Sequence, residues 1–469
     1  MSYLIGVLAF VFILGAAVII HEFGHFIVAK LLGIRVEAFS VGFGKRIFGK
    51  RWGTTDYRLS LIPLGGYVKL GGDDSNAGIE GESDADIPTR ERFDLRPRWQ
   101  KFLVAVAGPV MNILTAIAVP LVAAMIIGVP VMPSPVVKSI RPGGAAEAAG
   151  IVPGDRIVSF NGREKREWDK IRNDALISPG QPLPVVVERN GQRIPLTLTP
   201  TKRMDSGEAI GELGMQPDYG DVPIVVDVVE ENTPASEAGL KPGDRILSIG
   251  GEPVYSGEQI VQFVEGHKSE PISMTISRGN ETREIVASTR RLSDGRERLG
   301  FGPTEDYPVE RVGPLAAAVY AVGRNIEFVR LTGLALGQVF TGQRSARDTF
   351  SGPIGIAKAS SRAANEGGWG GVFGMLAFLS LNLGIFNLLP IPVLDGGMIF
   401  MLFLEGMLAW VGLKLSMTMR ERIQQVGFVF LLLLMGFVIV NDITKTAAQW
   451  RTEGSSSTNT TTSSPAPRN

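Results

Sequence analysis

Cysteine is absent from the 469 residues, which excludes disulfides and thiolate metal ligands alike. Histidine is scarce: only His21, His25 and His267 occur, so a metal centre has few imidazoles to draw on and needs a carboxylate beside them. Charge is also sparse. Asp, Glu, Lys and Arg make up 20% of the chain, below the roughly 25% of an ordinary soluble domain. The 47 basic and 47 acidic residues cancel, which removes the electrostatic argument for a nucleic-acid partner. The missing charge is not spread evenly, and the stretches it leaves behind organise the rest of the reading.

Residues 1–29 hold a single charged side chain, Glu22. The apolar run from Tyr3 to Leu32 is long enough for a bilayer core of ~30 Å. A cleavable signal peptide fits less well, because no Lys or Arg precedes the run and a signal core has only ~7–15 apolar residues. Further runs at 102–129, 372–390 and 423–443 bring the expected spans to four, the first being 1–33. Residues 314–345 are apolar but carry Arg324, Glu327 and Arg330, and read as an amphipathic helix lying on the membrane surface. Residues 34–101 follow the first span, and Lys30 to Lys101 contains thirteen Lys or Arg, which assigns it to the cytoplasm. Both termini and the long segment 130–310 then lie outside; Lys414, Arg420 and Arg422 on the loop after the third span agree. The tail 454–469, rich in Ser, Thr, Asn and Pro, has no apolar pattern and is expected to be disordered.

The outer segment repeats itself. Gly150-Ile151-Val152-Pro153-Gly154-Asp155-Arg156-Ile157 returns 89 residues later as Gly239-Leu240-Lys241-Pro242-Gly243-Asp244-Arg245-Ile246. Each copy reads as a short helix, a Pro-Gly-Asp turn and a strand, and Asn190-Gly191 adds a hairpin turn. The pattern resembles PDZ domains of bacterial envelope proteases, at 134–203 and 222–291. Such domains add an extended chain to a sheet edge. Two copies also suit a bulky filter that excludes large substrates.

His21-Glu22-Phe23-Gly24-His25 places two imidazoles one helical turn apart with a carboxylate beside them. That arrangement suits one zinc ion, with Glu22 as general acid and base for a water molecule. A buried structural cluster is the bland alternative, but titratable groups inside an apolar span are costly and usually functional. At ~1.5 Å per residue, His21 lies ~27 Å along the helix from Tyr3, within the membrane near its cytoplasmic side. A catalytic zinc wants a third protein ligand. His267 falls in the outer repeat, so a carboxylate at cytoplasmic depth is required. Asp395, in Asn387-Leu388-Leu389-Pro390-Ile391-Pro392-Val393-Leu394-Asp395-Gly396-Gly397, meets that requirement where two prolines break a span. Asn387, at the same broken end, has an amide that can hydrogen-bond an extended backbone.

Together these residues resemble the site-2 protease family, in its bacterial branch with tandem PDZ domains. The likeness rests on HEFGH, on Ala107–Asn112 (AGPVMN), on Ser351–Ala357 (SGPIGIA), on the proline-broken aspartate motif and on the position of the repeat. It implies a polytopic α-helical membrane protein with four transmembrane helices, a membrane-associated β-hairpin and two extramembrane PDZ-like α+β domains. It implies Zn2+ held by His21, His25 and Asp395, catalysis by Glu22, and substrate held by Asn387. A hairpin at Leu59–Val68, including Leu59, Leu61, Gly65 and Gly66, is implied beside the site, with Gly42 and Gly44 helping to admit substrate; plain loop roles suit the same glycines. The implied substrate is a single-span protein embedded in the lipid bilayer of a bacterial inner membrane, such as an anti-sigma factor already trimmed by another protease, or a remnant signal peptide. A silent PDZ scaffold is the main rival, although it has no use for a buried glutamate. A transporter would show repeats within its spans.

Overall fold

The computed structural model describes residues 2–73, 87–164, 167–205, 208–218, 220, 222–267, 270–291, 297–413 and 416–457. The chain divides into two units. One comprises Met1–Ile126, Val312–Ile326 and Ser351–Asp442; the other comprises Ile127–Arg311, Glu327–Phe350 and Ile443–Asn469.

The first unit is built on helices α1 (Ser2–Leu31), α2 (Arg98–Ile126), α3 (Pro353–Asn387), α4 (Asp395–Trp410) and α5 (Met417–Ser457), with strands β1 (Val36–Trp52) and β2 (Thr55–Leu70) between α1 and α2. Leu4–Leu31, Arg98–Ile126, Gly367–Asn387 and Arg422–Thr446 are each long and apolar enough to cross a membrane. Many of their large apolar side chains are exposed, Leu4, Phe12, Leu114 and Phe428 among them, as lipid-facing ones are. Ala9, Ile13 and Ala17 of α1 pack on Val372 and Leu376 of α3. A second core joins Ala29, Ile34, Val36, Leu70, Phe93 and Val104 where α1, the strands and α2 converge.

Several elements differ from the sequence expectations. A tight turn at Gly53 (φ 60°), where Trp52 pairs with Thr55, joins β1 to β2 outside the expected 59–68. β2 also reverses direction within 59–68, since Val41 pairs with Leu59 on one side and with Gly66 on the other. The third apolar segment belongs to a longer helix that begins at Pro353 and kinks at Gly368. A further helix, α4, starts at Asp395, while α5 continues to Ser457; the rest of the expected disordered tail, 458–469, and Lys414 lie outside the described residues.

In the second unit each repeat closes around its own core. The first has strands Arg156–Phe160, Leu183–Arg189 and Gln192–Leu198 with helix Trp168–Leu176. Its core also takes in Leu213 and Met215, ten residues and more past the expected end at 203, because strand Met215–Pro217 returns to pair with Val137–Ile140. The second has Ile224–Val229, Arg245–Ile249, Pro271–Arg278, Glu281–Ser288 and Phe301–Glu305 with helix Gly257–Gly266, and Leu299 and Phe301 extend its packing beyond 291. The repeated Pro-Gly-Asp turn has a physical purpose. Asp155 accepts from the Val152 N–H (2.9 Å) and from Arg189 (2.7 Å), and Arg189 also donates to the Gly150 carbonyl. Asp244, Lys241, Arg278 and Gly239 make the same four-part clasp 89 residues on. In helix Pro314–Phe340, Arg330 pairs with its neighbour Glu327 and with the fully buried Asp174 of the first repeat.

Candidate metal centre

Helical spacing alone brings His21 and His25 to one side of α1, their rings 4.8 Å apart and nearly perpendicular. Their neighbours on α2 shape the site. A Cβ at Gly108 would lie 2.3 Å from His25 Nε2 and 2.8 Å from His21 Cε1, so only a glycine leaves room for the imidazole pair. Gly24 has the same importance on α1, where a Cβ would meet the Ala107 carbonyl at 2.3 Å.

Asp395 arrives from the other end of the chain. Residues 388–394 leave α3 in a tight link and α4 begins at the aspartate. Gly396 and Gly397 let that link fold back: a Cβ on either would come within 2.3 Å of the Leu389 or Ile391 carbonyl. Val393 is held at φ 86°, a region that β-branched residues rarely adopt, so the link stores local strain next to the aspartate.

The donor atoms converge. His21 Nε2 lies 3.0 Å from Asp395 Oδ2, His25 Nε2 lies 3.5 Å from Asp395 Oδ1, and the two Nε2 atoms are 3.2 Å apart. Ligands at about 2.0–2.2 Å around a tetrahedral zinc stand roughly 3.4 Å from one another. The spacing therefore fits. The chemistry of the donors fits too. His25 Nδ1 donates to the Val104 carbonyl at 2.7 Å, since a carbonyl only accepts. In a neutral His25, Nε2 then bears a lone pair and faces the carboxylate oxygen of Asp395. Two acceptors so close repel unless a proton or a cation lies between them. The second bond of His25 is the support usual for a zinc-bound imidazole.

Glu22 sits between this cluster and β2. The Val68 N–H lies near its carboxylate, and a Cβ at Gly66 would be 3.6 Å from its Cγ. Asn387, the last residue of α3, places Nδ2 3.3 Å from His21 Nε2 and 3.5 Å from Nδ1. Of the strand residues singled out from the sequence, Gly66 lies beside Glu22. Gly42 and Gly65 serve the close approach of β1 and β2, where a Cβ would meet the Ile62 carbonyl at 2.7 Å or the Phe43 ring at 2.2 Å. Gly44 has open space around it, and Leu59 and Leu61 turn exposed side chains outward. The sequence reading assigned no role to Gly108 or Asn112. A polar asparagine in an apolar span, four residues after a glycine, was the available signal.

Residues 9–434 match the model of peptidase family M50. The chain belongs to this family. Among its relatives are the regulator of sigma-E protease of Salmonella typhimurium, 33% identical over 95% of this chain and all of its own length, and that of Escherichia coli, 32% identical with the same coverage. A Vibrio cholerae protein named as a zinc metalloprotease is 30% identical over 93% of this chain and 98% of its own. Among solved structures, the PDZ domain of an SdrC-like protein of Listeria monocytogenes aligns over 18% of this chain and 92% of its own at 17% identity, with a TM-score of 0.17. This M50 peptidase is an intramembrane zinc metalloprotease with PDZ-like domains.

Proposed function

We propose that the chain cleaves transmembrane segments of single-span membrane proteins, using one zinc ion held by His21, His25 and Asp395 with Glu22 as acid and base. The observation that carries this reading is the convergence of three metal-type donors, within 4.8 Å of one another, on helices apolar enough to cross a membrane. A zinc ion at that triad supplies Lewis acidity, lowering the pKa of water toward ~7 and polarising the scissile carbonyl. Glu22 takes the proton released by the attacking water and delivers it to the departing amine.

A helical substrate hides its carbonyls, so it must be drawn out as a strand before attack. Gly66 and Val68, next to Glu22, offer the strand against which it extends, and the Asn387 amide holds it from the opposite side. The names of the relatives support a substrate whose cleavage regulates a sigma factor, namely an anti-sigma factor trimmed first by another protease; a remnant signal peptide suits the same site. The excess of Lys and Arg between the first two spans supports an inner-membrane topology with the PDZ-like repeats and both termini in the periplasm. There the repeats bind or exclude the outer part of a substrate.

The test is Glu22→Gln in proteoliposomes carrying a membrane-embedded reporter. Cleavage is expected to vanish while zinc stays bound. Cleavage at the parental rate would remove the acid–base assignment.

A further inference from the structure

Every residue of the metal triad needs its ring or carboxylate held in one orientation, and among the described residues no backbone carbonyl does for His21 what Val104 does for His25. Its Nδ1 instead faces Asn112 of α2, whose Nδ2 is 3.3 Å away. Asn112 is completely buried inside an apolar helix, and its Oδ1 has no hydrogen-bond partner among the described residues. A buried amide left half satisfied costs about 1–3 kcal/mol, so its presence needs a reason.

We infer that Asn112 is the positioning residue for His21, its carboxamide oxygen accepting the His21 Nδ1–H and thereby presenting the Nε2 lone pair to the metal. The argument is one of hydrogen accounting. A neutral imidazole carries a single N–H. For Nε2 to be a ligand, the proton must be on Nδ1, and a buried Nδ1–H needs an acceptor. An amide turned half a revolution about its terminal bond exchanges its nitrogen for its oxygen in the same place, and so supplies one at the same 3.3 Å. As placed, with Nδ2 toward His21, the same amide matches the opposite tautomer, in which Nε2–H donates to Asp395. Asparagine alone among the side chains near Nδ1 serves both. Asn387 is not a substitute: its Nδ2 is almost equidistant from both ring nitrogens and so points along neither lone pair. The AGPVMN segment thus works as a unit, with Gly108 making room for the imidazoles and Asn112 orienting one of them.

This inference rests on the metal site proposed above, and the experiment separates the two. Zinc affinity of the full chain in detergent is measured by chelator competition for the parent, Asn112→Leu and Asn112→Asp, with thermal unfolding to check folding. Loss of an outer-shell partner typically weakens metal binding about 10–100-fold, so Asn112→Leu should fall by that much. Asn112→Asp keeps an oxygen acceptor and should remain near the parent. A role in packing alone predicts the reverse order, because leucine suits an apolar interior and a buried carboxylate does not. If Asn112→Leu does not fold, Asn112→Ser, too short to reach Nδ1, takes its place. An apolar or shortened variant that binds zinc like the parent, or an aspartate variant as weak as leucine, overturns the assignment. A parent chain that binds no zinc sinks the triad itself.

Discussion

Gly108→Ala sets two well-characterised effects against each other. In an ordinary helix the change is favourable, because alanine loses less conformational freedom than glycine, by about 0.5–1 kcal/mol. Here the added Cβ would lie 2.3 Å from His25 Nε2, 2.7 Å from its Cε1 and 2.8 Å from His21 Cε1. Ordinary carbon–nitrogen contact begins near ~3.4 Å, so the imidazole must retreat by roughly 1 Å. The helix cannot yield in its place, since Gly24 already brings α1 against the Ala107 backbone. A misplacement of about 1 Å in a catalytic group costs on the order of 100-fold in rate, equivalent to ~2.7 kcal/mol. The steric effect wins. Overpacking costs about 1–3 kcal/mol, more than the helix gains, so the variant should fold with parental or slightly lower thermal stability, lose about two orders of magnitude in cleavage of a membrane-embedded reporter, and retain less zinc after gel filtration. A Gly108→Ala protein with full zinc and the parental rate would refute the reasoning.

The paired clasps of the repeats should respond to acid. Burial pushes the Asp155 and Asp244 carboxyls up, but Arg189 and Arg278 together with the Val152 and Lys241 N–H groups outweigh it and hold both below the usual carboxylate range. A carboxyl depressed on folding contributes stability above its unfolded value, about 3.9, and loses it as pH falls through the folded one. Amide protection factors in the strand Leu183–Arg189 should therefore fall below about pH 4, and Asp155→Asn should destabilise the first repeat by about 1.5–3 kcal/mol at neutral pH; equal protection in parent and variant would contradict the clasp. In the first unit, Asp442 accepts from the Gly352, Ile354 and Gly355 N–H groups at 2.9, 3.0 and 3.1 Å, capping α3 from α5. Asp442→Asn should lower the thermal midpoint in detergent, through a loss of at least about 2 kcal/mol, and an unchanged midpoint would count against the cap.

Hydrophobicity and spacing made much of this legible. An apolar run has one stable use in a membrane, so α1, α2, α3 and α5 could be read from composition, and a 89-residue repeat could be read from a turn that needs Gly and Asp at fixed offsets. The helix 353–366 could not. Its Gly, Ser and Ala carry no apolar period, and it is fixed by contacts distant in sequence: the Asp442 cap, and Ser361 lying where a Cβ on Gly6 would be. α4 was not legible because a sixteen-residue stretch, mostly apolar but holding Asp395 and Glu405, is too short to span and too long for a turn. Gly65 and Gly66 suit the reversal of β2, whereas the turn at Gly53 and the folding of residues 55–59 back onto β1 are fixed only by strand pairing. At the site, the reverse holds. Residues with chemistry of their own, His21, Glu22, His25 and Asp395, stood out, whereas those that position them look like ordinary membrane residues.

That division explains why the motifs must occur together. HEFGH, AGPVMN and the proline-broken aspartate segment lie far apart in sequence, yet each contains a glycine whose missing Cβ is occupied by a neighbour, across helices for the first two and within its own link for the third. Gly24 admits Ala107, Gly108 admits His25, and Gly396 and Gly397 admit the 388–392 backbone. Gly384 of α3 completes the set, since a Cβ there would meet the Pro109 carbonyl at 2.9 Å. Within lipid, helices gain little from hiding apolar surface, and close backbone approach is what holds them in register. A metal centre tolerates errors of only about 0.2 Å in its ligand distances. Side chains from α1 and α4 can meet that tolerance only if the helices beneath them are pressed together without flexible side chains between, so the glycines are as much a part of the zinc site as the histidines.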